Sequence, residues 1–229
     1  MNSSVFEIVT QEYAGLGDRC SELELQQARR ALALLKNAIG PEGILELLGT
    51  QLEEGNEFWR KALTVSNGAL VPATVEIRVK GMSAAQFGDW FKSALNVQEK
   101  LISANPEHYR IQWNVSPSED PEGFGIISVT EALGGILTKF DIKWGGTELV
   151  SLPLDPEFPR RVLGSLRLED GSEIGQLMHQ FRDYDGGMVA RLCILLPKGV
   201  PEHVLANHRE HLIVEWSNWF ERAAAELGS

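Results

Sequence analysis

Two cysteines, Cys20 and Cys193, are all that the chain contains, and neither has a CxxC neighbour. Cys193 lies in the apolar run 192–196 and reads as an inert core thiol. No stretch approaches the ~20 apolar residues of a membrane span. The opening MNSSVFEIVTQEY has neither the basic start nor the apolar run of a signal peptide, so a soluble, cytoplasmic protein is expected. Basic residues are in the minority: 21 Lys and Arg stand against 32 Asp and Glu, a net charge of −11. That balance argues against nucleic acid or an anionic membrane as partner. Phosphate loops, nucleotide fingerprints and a Ser-centred G-x-S-x-G are missing as well.

What is present divides into three parts. Residues ~18–64 read as helical. Ser21 with Glu24 makes a capping box ahead of Leu25, Ala28, Leu32 and Leu35. Gly40-Pro41 ends that helix, and a second begins at Pro41 and carries Ile44, Leu45, Leu48, Leu52, Phe58 and Trp59. The expected boundary is an N-terminal helical extension over 1–70, a hairpin that packs on the remainder or leaves a homodimer open, followed by a ligand-binding or catalytic domain over 71–229.

Residues ~72–200 are mostly β. Thr74–Lys80 alternates strictly, as a half-buried strand does. Ser83 caps a helix bearing Phe87, Trp90, Phe91, Ala94 and Leu95. Strands are predicted at 109–115, 126–132, 136–144, 161–168, 174–184 and 188–196, with Asp185-Gly186-Gly187 as a hairpin signal and Gly134-Gly135 and Gly145-Gly146 as turns. Pro197-Lys198-Gly199 breaks the sheet, and a long helix runs from Glu202 to about Leu227.

That last helix carries the most informative residues. At 100° per residue Leu205, Leu212, Trp219 and Ala223 share one face. His208 and Glu215 project onto its edge, and His211 lies one step further round. His211 and Glu215 are four apart, so they meet on adjacent turns, and a helical H-x-x-x-E can supply nitrogen and oxygen to zinc or another divalent metal. An i,i+4 His–Glu pair can equally be a local polar contact. Glu215, however, stands where a core-facing residue belongs, and a buried carboxylate needs a proton, a cation or a metal. His108, at the end of a helix–strand connection, and His203, at the start of the last helix, read as peripheral. His179, between Leu177 and Phe181 in alternation, reads as a core or pocket-lining residue.

The order strand, helix, antiparallel meander, long helix predicts an α+β fold. Its curved antiparallel sheet grips the C-terminal helix and leaves a cavity for an apolar ligand. This arrangement resembles the START-like helix-grip superfamily over about residues 72–227. Within it, the strings GMSAAQFGDWF (81–91), NPEHYRIQW (105–113), VTEALGG (129–135) and HLIVE (211–215) together resemble the diacetylphloroglucinol hydrolase group. Those zinc enzymes cut a carbon–carbon bond between an acyl group and an activated ring. The resemblance implies metal ligands at Glu131, His211 and Glu215. The group's first ligand histidine is expected just beyond the Tyr…Trp segment, but Trp113 is followed by Asn114-Val115-Ser116-Pro117-Ser118. His179 and His208 are therefore the candidates to complete the set.

If zinc is held there, His208 or His179 would act as the acid that protonates the leaving group, and Trp90, Phe91 and Trp219 would sandwich a small aromatic substrate. Two other readings stay open: a metal-free cyclase or isomerase of polyketide metabolism, and a carrier of an apolar small molecule.

Overall fold

The computed structural model describes residues 20–228; the N-terminal stretch read for a signal peptide lies outside them. By contact the chain divides into two compact units, Met1–Glu46 and Leu47–Ser229. In the first, helix α1 (Cys20–Leu47) contains a break at Gly40, whose φ of 75° and ψ of 165° are not helical and which precedes Pro41. Proline lacks the amide that would continue the ladder, so the predicted Gly-Pro interruption falls where the backbone leaves the helix. Ser21, expected as the cap, is already helical.

The second unit holds α2 (Gly49–Ser66), β1 (Leu70–Lys80), α3 (Ala84–Ala94), a short α4 (Gln98–Ile102), β2 (His108–Val115), β3 (Ile126–Leu133), β4 (Ile136–Trp144), β5 (Arg160–Arg167), β6 (Glu173–Tyr184), β7 (Gly187–Pro197) and α5 (Glu202–Leu227). All strands pair antiparallel, in the order β1-β7-β6-β5-β4-β3-β2. The fold is thus α+β, a curved seven-stranded antiparallel sheet with a C-terminal helix, as the sequence pattern predicts. β4 matches its predicted span, β5 is shifted by one residue, and the other strands run one to four residues longer than predicted, with β1 gaining the most. It starts at Leu70 because Leu70–Ala73 pair with Ile194–Pro197 of β7, and pairing rather than alternation sets the limit.

Ser83 forms the predicted cap of α3: its hydroxyl accepts from the Gln86 amide, and the Gln86 side chain accepts from the Ser83 amide. Helix α2 crosses the sheet closely at Gly55, where an added Cβ would lie 2.0 Å from the Leu137 carbonyl oxygen. Beside it the buried Trp59 donates from Nε1 to Thr138 Oγ1 at 2.7 Å.

Strand alternation then assigns two faces. One carries Ile127, Val129, Glu131, Phe140, Ile142, Trp144, Leu177, His179 and Ile194, and faces α5 across a cavity. The other carries Leu163, Met178, Cys193 and Leu195, packed under Val150 and Leu154 of the β4–β5 connection. Cys193 is buried there, and burial raises its thiol pKa, which fits the inert thiol expected.

Candidate metal centre

The apolar face of α5 buries Val204, Leu205, Leu212, Trp216, Trp219, Phe220 and Ala223. His208 and His211 are buried on the same helix, and Glu215 is mostly so. Side chains 208, 211 and 215 are spaced three and four apart, so they rise in one column along the helix. Opposite them the β3–β4 turn comes in at Gly134. Its φ of 63° and the approach of Val204 (2.5 Å from an added Cβ) leave room for no side chain. This contact sets the end of β3 against the first turns of α5.

Two further residues come from the strands. His108 opens β2 and pairs directly with Glu131 of β3, and the register shifts between His108 and Arg110. Such a bulge re-aims a side chain at the end of a ladder. His108 is fully buried, and its Nε2 lies 3.5 Å from Glu131 Oε2, 3.4 Å from Glu215 Oε1 and 3.1 Å from His211 Nε2. His211 Nε2 is 3.8 Å from Glu131 Oε2. Ligand-type atoms of His108, His211 and Glu215 all lie within 4.8 Å of one another.

The outer nitrogens fix the tautomers. His108 Nδ1 meets the Leu101 carbonyl at 2.9 Å and His211 Nδ1 meets Glu107 Oε2 at 3.2 Å. A carbonyl and a carboxylate can only accept, so both Nδ1 atoms carry the proton. In the neutral rings the two Nε2 lone pairs then face each other at 3.1 Å. That contact is favourable only with a positive charge between them, either a proton or a metal ion. A proton gives one answer: burial works against it, but Glu131, the Glu107 hydrogen bond and Glu215 together push the pKa of His211 up to about 9.

A cation gives the other. Four ligands around zinc at ~2.0–2.1 Å define a tetrahedron with edges of about 3.3 Å. Four of the six edges among these side chains, at 3.1–3.8 Å, lie around that value, and the mutually close set is His108, His211 and Glu215, with Glu131 beside the two imidazoles. Two imidazole nitrogens and two carboxylates suit zinc and other borderline divalent ions. The residues present therefore fit a metal.

Burial also dominates the carboxyl groups. It raises Glu215 to about 8 and raises Glu131 as well; the charge on His211 partly offsets both. Two carboxylates this dry stay ionised only with compensating positive charge.

Of the other residues singled out in the sequence, Phe91, Trp219, His179 and His208 line the cavity. Trp90 is not among the lining residues; its Nε1 donates to Glu226 Oε2 at 2.8 Å, and Lys100 lies over its ring. Trp216, which the sequence reading did not single out, lines the cavity and stacks on Phe91, with centroids 5.5 Å apart.

His179 accepts the Cys193 amide at Nδ1, 3.0 Å, so its proton sits on Nε2. Burial lowers its pKa to about 3. His208 stacks nearly parallel to His211, and neither of its ring nitrogens has a hydrogen-bond partner. Burial, with the neighbouring imidazoles of His211 and His179, lowers its pKa well below the ordinary value. Both are neutral imidazoles at pH 7.

His108 is the residue that sequence reasoning placed elsewhere. It stands before Tyr109 rather than beyond Trp113, and no periodic pattern marks it. One signal was available: a histidine that opens a strand, two residues after an Asn-Pro turn and in register with a glutamate.

No protein-family model matches the chain, and no curated protein matches it significantly. Among solved structures the chain is similar to Ara h 8.0201, with 13% identity over 69% of this chain and 99% of that one, at a TM-score of 0.47. It is also similar to a START superfamily protein from Mycobacterium smegmatis (13%, 69% and 99%, TM-score 0.43). A third is a norcoclaurine synthase point mutant from Thalictrum in complex with a transition-state analogue (13%, 70% and 99%, TM-score 0.42).

Proposed function

We propose that this chain is a metal-dependent hydrolase that cleaves the carbon–carbon bond joining an acyl group to an activated aromatic ring or a β-dicarbonyl carbon, as the diacetylphloroglucinol hydrolase group does. The observation that carries this reading is the convergence of His108, Glu131, His211 and Glu215 at one end of an otherwise apolar cavity. His108 supplies the histidine that the sequence pattern left missing, so neither His179 nor His208 is needed as a ligand. Zinc held by these four side chains would supply a Lewis acid, which polarises a carbonyl group and makes water nucleophilic near neutral pH.

The substrate is uncharged. Among the described residues no lysine or arginine lines the cavity, so a phosphate or carboxylate would meet only carboxylates and neutral imidazoles there. Phe91, Trp216 and Trp219 offer ring faces and edges for a flat aromatic body. In the overall reaction water adds to the acyl carbon and the bond to the ring breaks. Its electron pair passes to the ring carbon, which takes up a proton, and a carboxylic acid and the deacylated ring leave. His179, neutral and with its proton on Nε2, is suited to donate a hydrogen bond to a ring oxygen that gains charge, a task a neutral imidazole can perform. His208 serves the same end of the cavity as a neutral partner.

A metal-free acid–base reaction, such as a cyclisation or isomerisation, is the second reading. It is supported by Glu215, which without a cation is held protonated up to about pH 8. An acetylated trihydroxybenzene serves as the test substrate, with acetate release as the readout. We expect turnover with one equivalent of zinc and none after dialysis against a chelator. Turnover that survives chelation favours the second reading, and zinc-loaded protein without turnover contradicts the hydrolase.

A further inference from the structure

We infer that Glu107 is a positioning residue for the metal centre: it holds the His211 ring so that Nε2 faces the other three ligands. The inference rests on the metal reading above. Glu107 lies in the turn between α4 and β2, outside the cavity, with its side chain half-exposed. Its Oε2 accepts from His211 Nδ1 at 3.2 Å. The turn that carries it is itself clamped to α5. Asn105 Oδ1 accepts the Glu107 amide at 2.9 Å, Asn105 Nδ2 donates to the His211 carbonyl at 3.3 Å, and Asn218 Nδ2 donates to the Ala104 carbonyl at 2.6 Å. One short turn therefore grips both the backbone and the ring of the same histidine.

The same segment treats the second imidazole differently. His108 Nδ1 is held by a backbone carbonyl, that of Leu101, which substitution cannot remove. His211 is held by a side chain. A carboxylate on the outer nitrogen fixes the tautomer, restricts ring rotation and raises the donor strength of the inner nitrogen, and its loss typically lowers metal affinity by about 10–100-fold. Glu107 does not line the cavity, and its hydrogen bond to the ligand set is the one to His211 Nδ1, while its charge also reaches Glu131.

The test is zinc affinity of the full chain, measured by competition with a chromogenic chelator, for wild type, Glu107→Ala and Glu107→Gln. The visible spectrum of the cobalt(II)-loaded proteins is recorded alongside. Glu107→Ala should bind zinc about 10–100-fold more weakly and shift the cobalt bands. Glu107→Gln, whose amide oxygen still accepts from Nδ1, should retain more of the affinity. A residue that merely braces the turn would lower the melting temperature and leave both readouts at wild-type values, and that result overturns the inference. Weakened zinc binding in Glu107→Ala with circular dichroism unchanged supports it. Wild type that takes up no zinc overturns the metal reading itself, a separable failure.

Discussion

The two halves of α5 bury comparable numbers of side chains by opposite means. The C-terminal half sets Trp216, Trp219 and Phe220 against Phe87 and Phe91 of α3 and buries Ala223. It needs no partner chemistry, because apolar area leaving water is favourable wherever it packs. The stretch from Glu202 to Glu215 buries His208, His211 and most of Glu215 beside Val204, Leu205 and Leu212. Each of these polar side chains costs free energy unless something answers it. His211 and Glu215 are answered by His108, Glu131 and Glu107, all from the β2–β3 end of the sheet or the turn before it. The contrast separates two jobs within one helix. One half fixes the helix on the sheet, and the other uses that fixed position to concentrate charge that folding alone would expel.

The largest expected effect lies in the apolar half. Trp216→Ala removes a ring that touches Phe87, Phe91, Phe181 and Phe220. It should cost about 3–5 kcal/mol in chemical denaturation. Zinc stoichiometry in the folded fraction should stay unchanged; zinc loss at native fold would break the division between the halves.

Next is Glu215→Gln, which keeps shape and removes a charge. Loss of an outer partner costs about 10–100-fold in metal affinity, so loss of a direct ligand should exceed ~100-fold. Without metal the carboxyl is already protonated at pH 7, its pKa being about 8. The metal-free variant should therefore melt above wild type already at pH 7, where folding must protonate the carboxyl, and the gap should close only towards pH 4.5.

A smaller, graded effect is the pH dependence of the metal-free protein. His211 titrates near 9 when folded and near 6.5 when unfolded. Glu215 titrates near 8 when folded and near 4.5 when unfolded. The folded state binds more protons at Glu215 from about pH 4.5 to 8 and at His211 from about 6.5 to 9, so both lower stability as pH rises through these windows. His179 and His208 shift the other way, and below pH 6.5 they favour the unfolded state because burial holds them neutral. Below pH 6.5 these opposing windows offset each other, and metal-free melting temperature should decline as pH rises from about 6.5 to 9. Stabilisation by zinc should grow over the same alkaline window, because the cation replaces protons. A flat alkaline limb would contradict the buried cluster.

Much of this was legible in the residues. The 3.6-residue period of 202–227 and the alternation of the strands were readable because each element buries one face only. That His211 and Glu215 share one side of α5 was readable because they lie four apart on one helix, whereas Glu131 entered through the resemblance of VTEALGG. His108 was not, because its role depends on a cross-strand register and a bulge that no local pattern encodes. Glu107 escaped for the same reason: its partner is 104 positions away. Trp90 read as a ring for the cavity because an aromatic on the apolar face of α3 looks the same in sequence whether it meets ligand or the end of α5, where Glu226 accepts a hydrogen bond from its Nε1.

The central claim is that four side chains from three elements hold one cation, with His108 among them. Zinc titration of the purified chain by calorimetry, wild type beside His108→Ala, tests it most directly. The account predicts one zinc per wild-type chain and a loss of affinity greater than ~100-fold in His108→Ala. Wild-type affinity in His108→Ala, or no uptake of zinc by either protein, would contradict it.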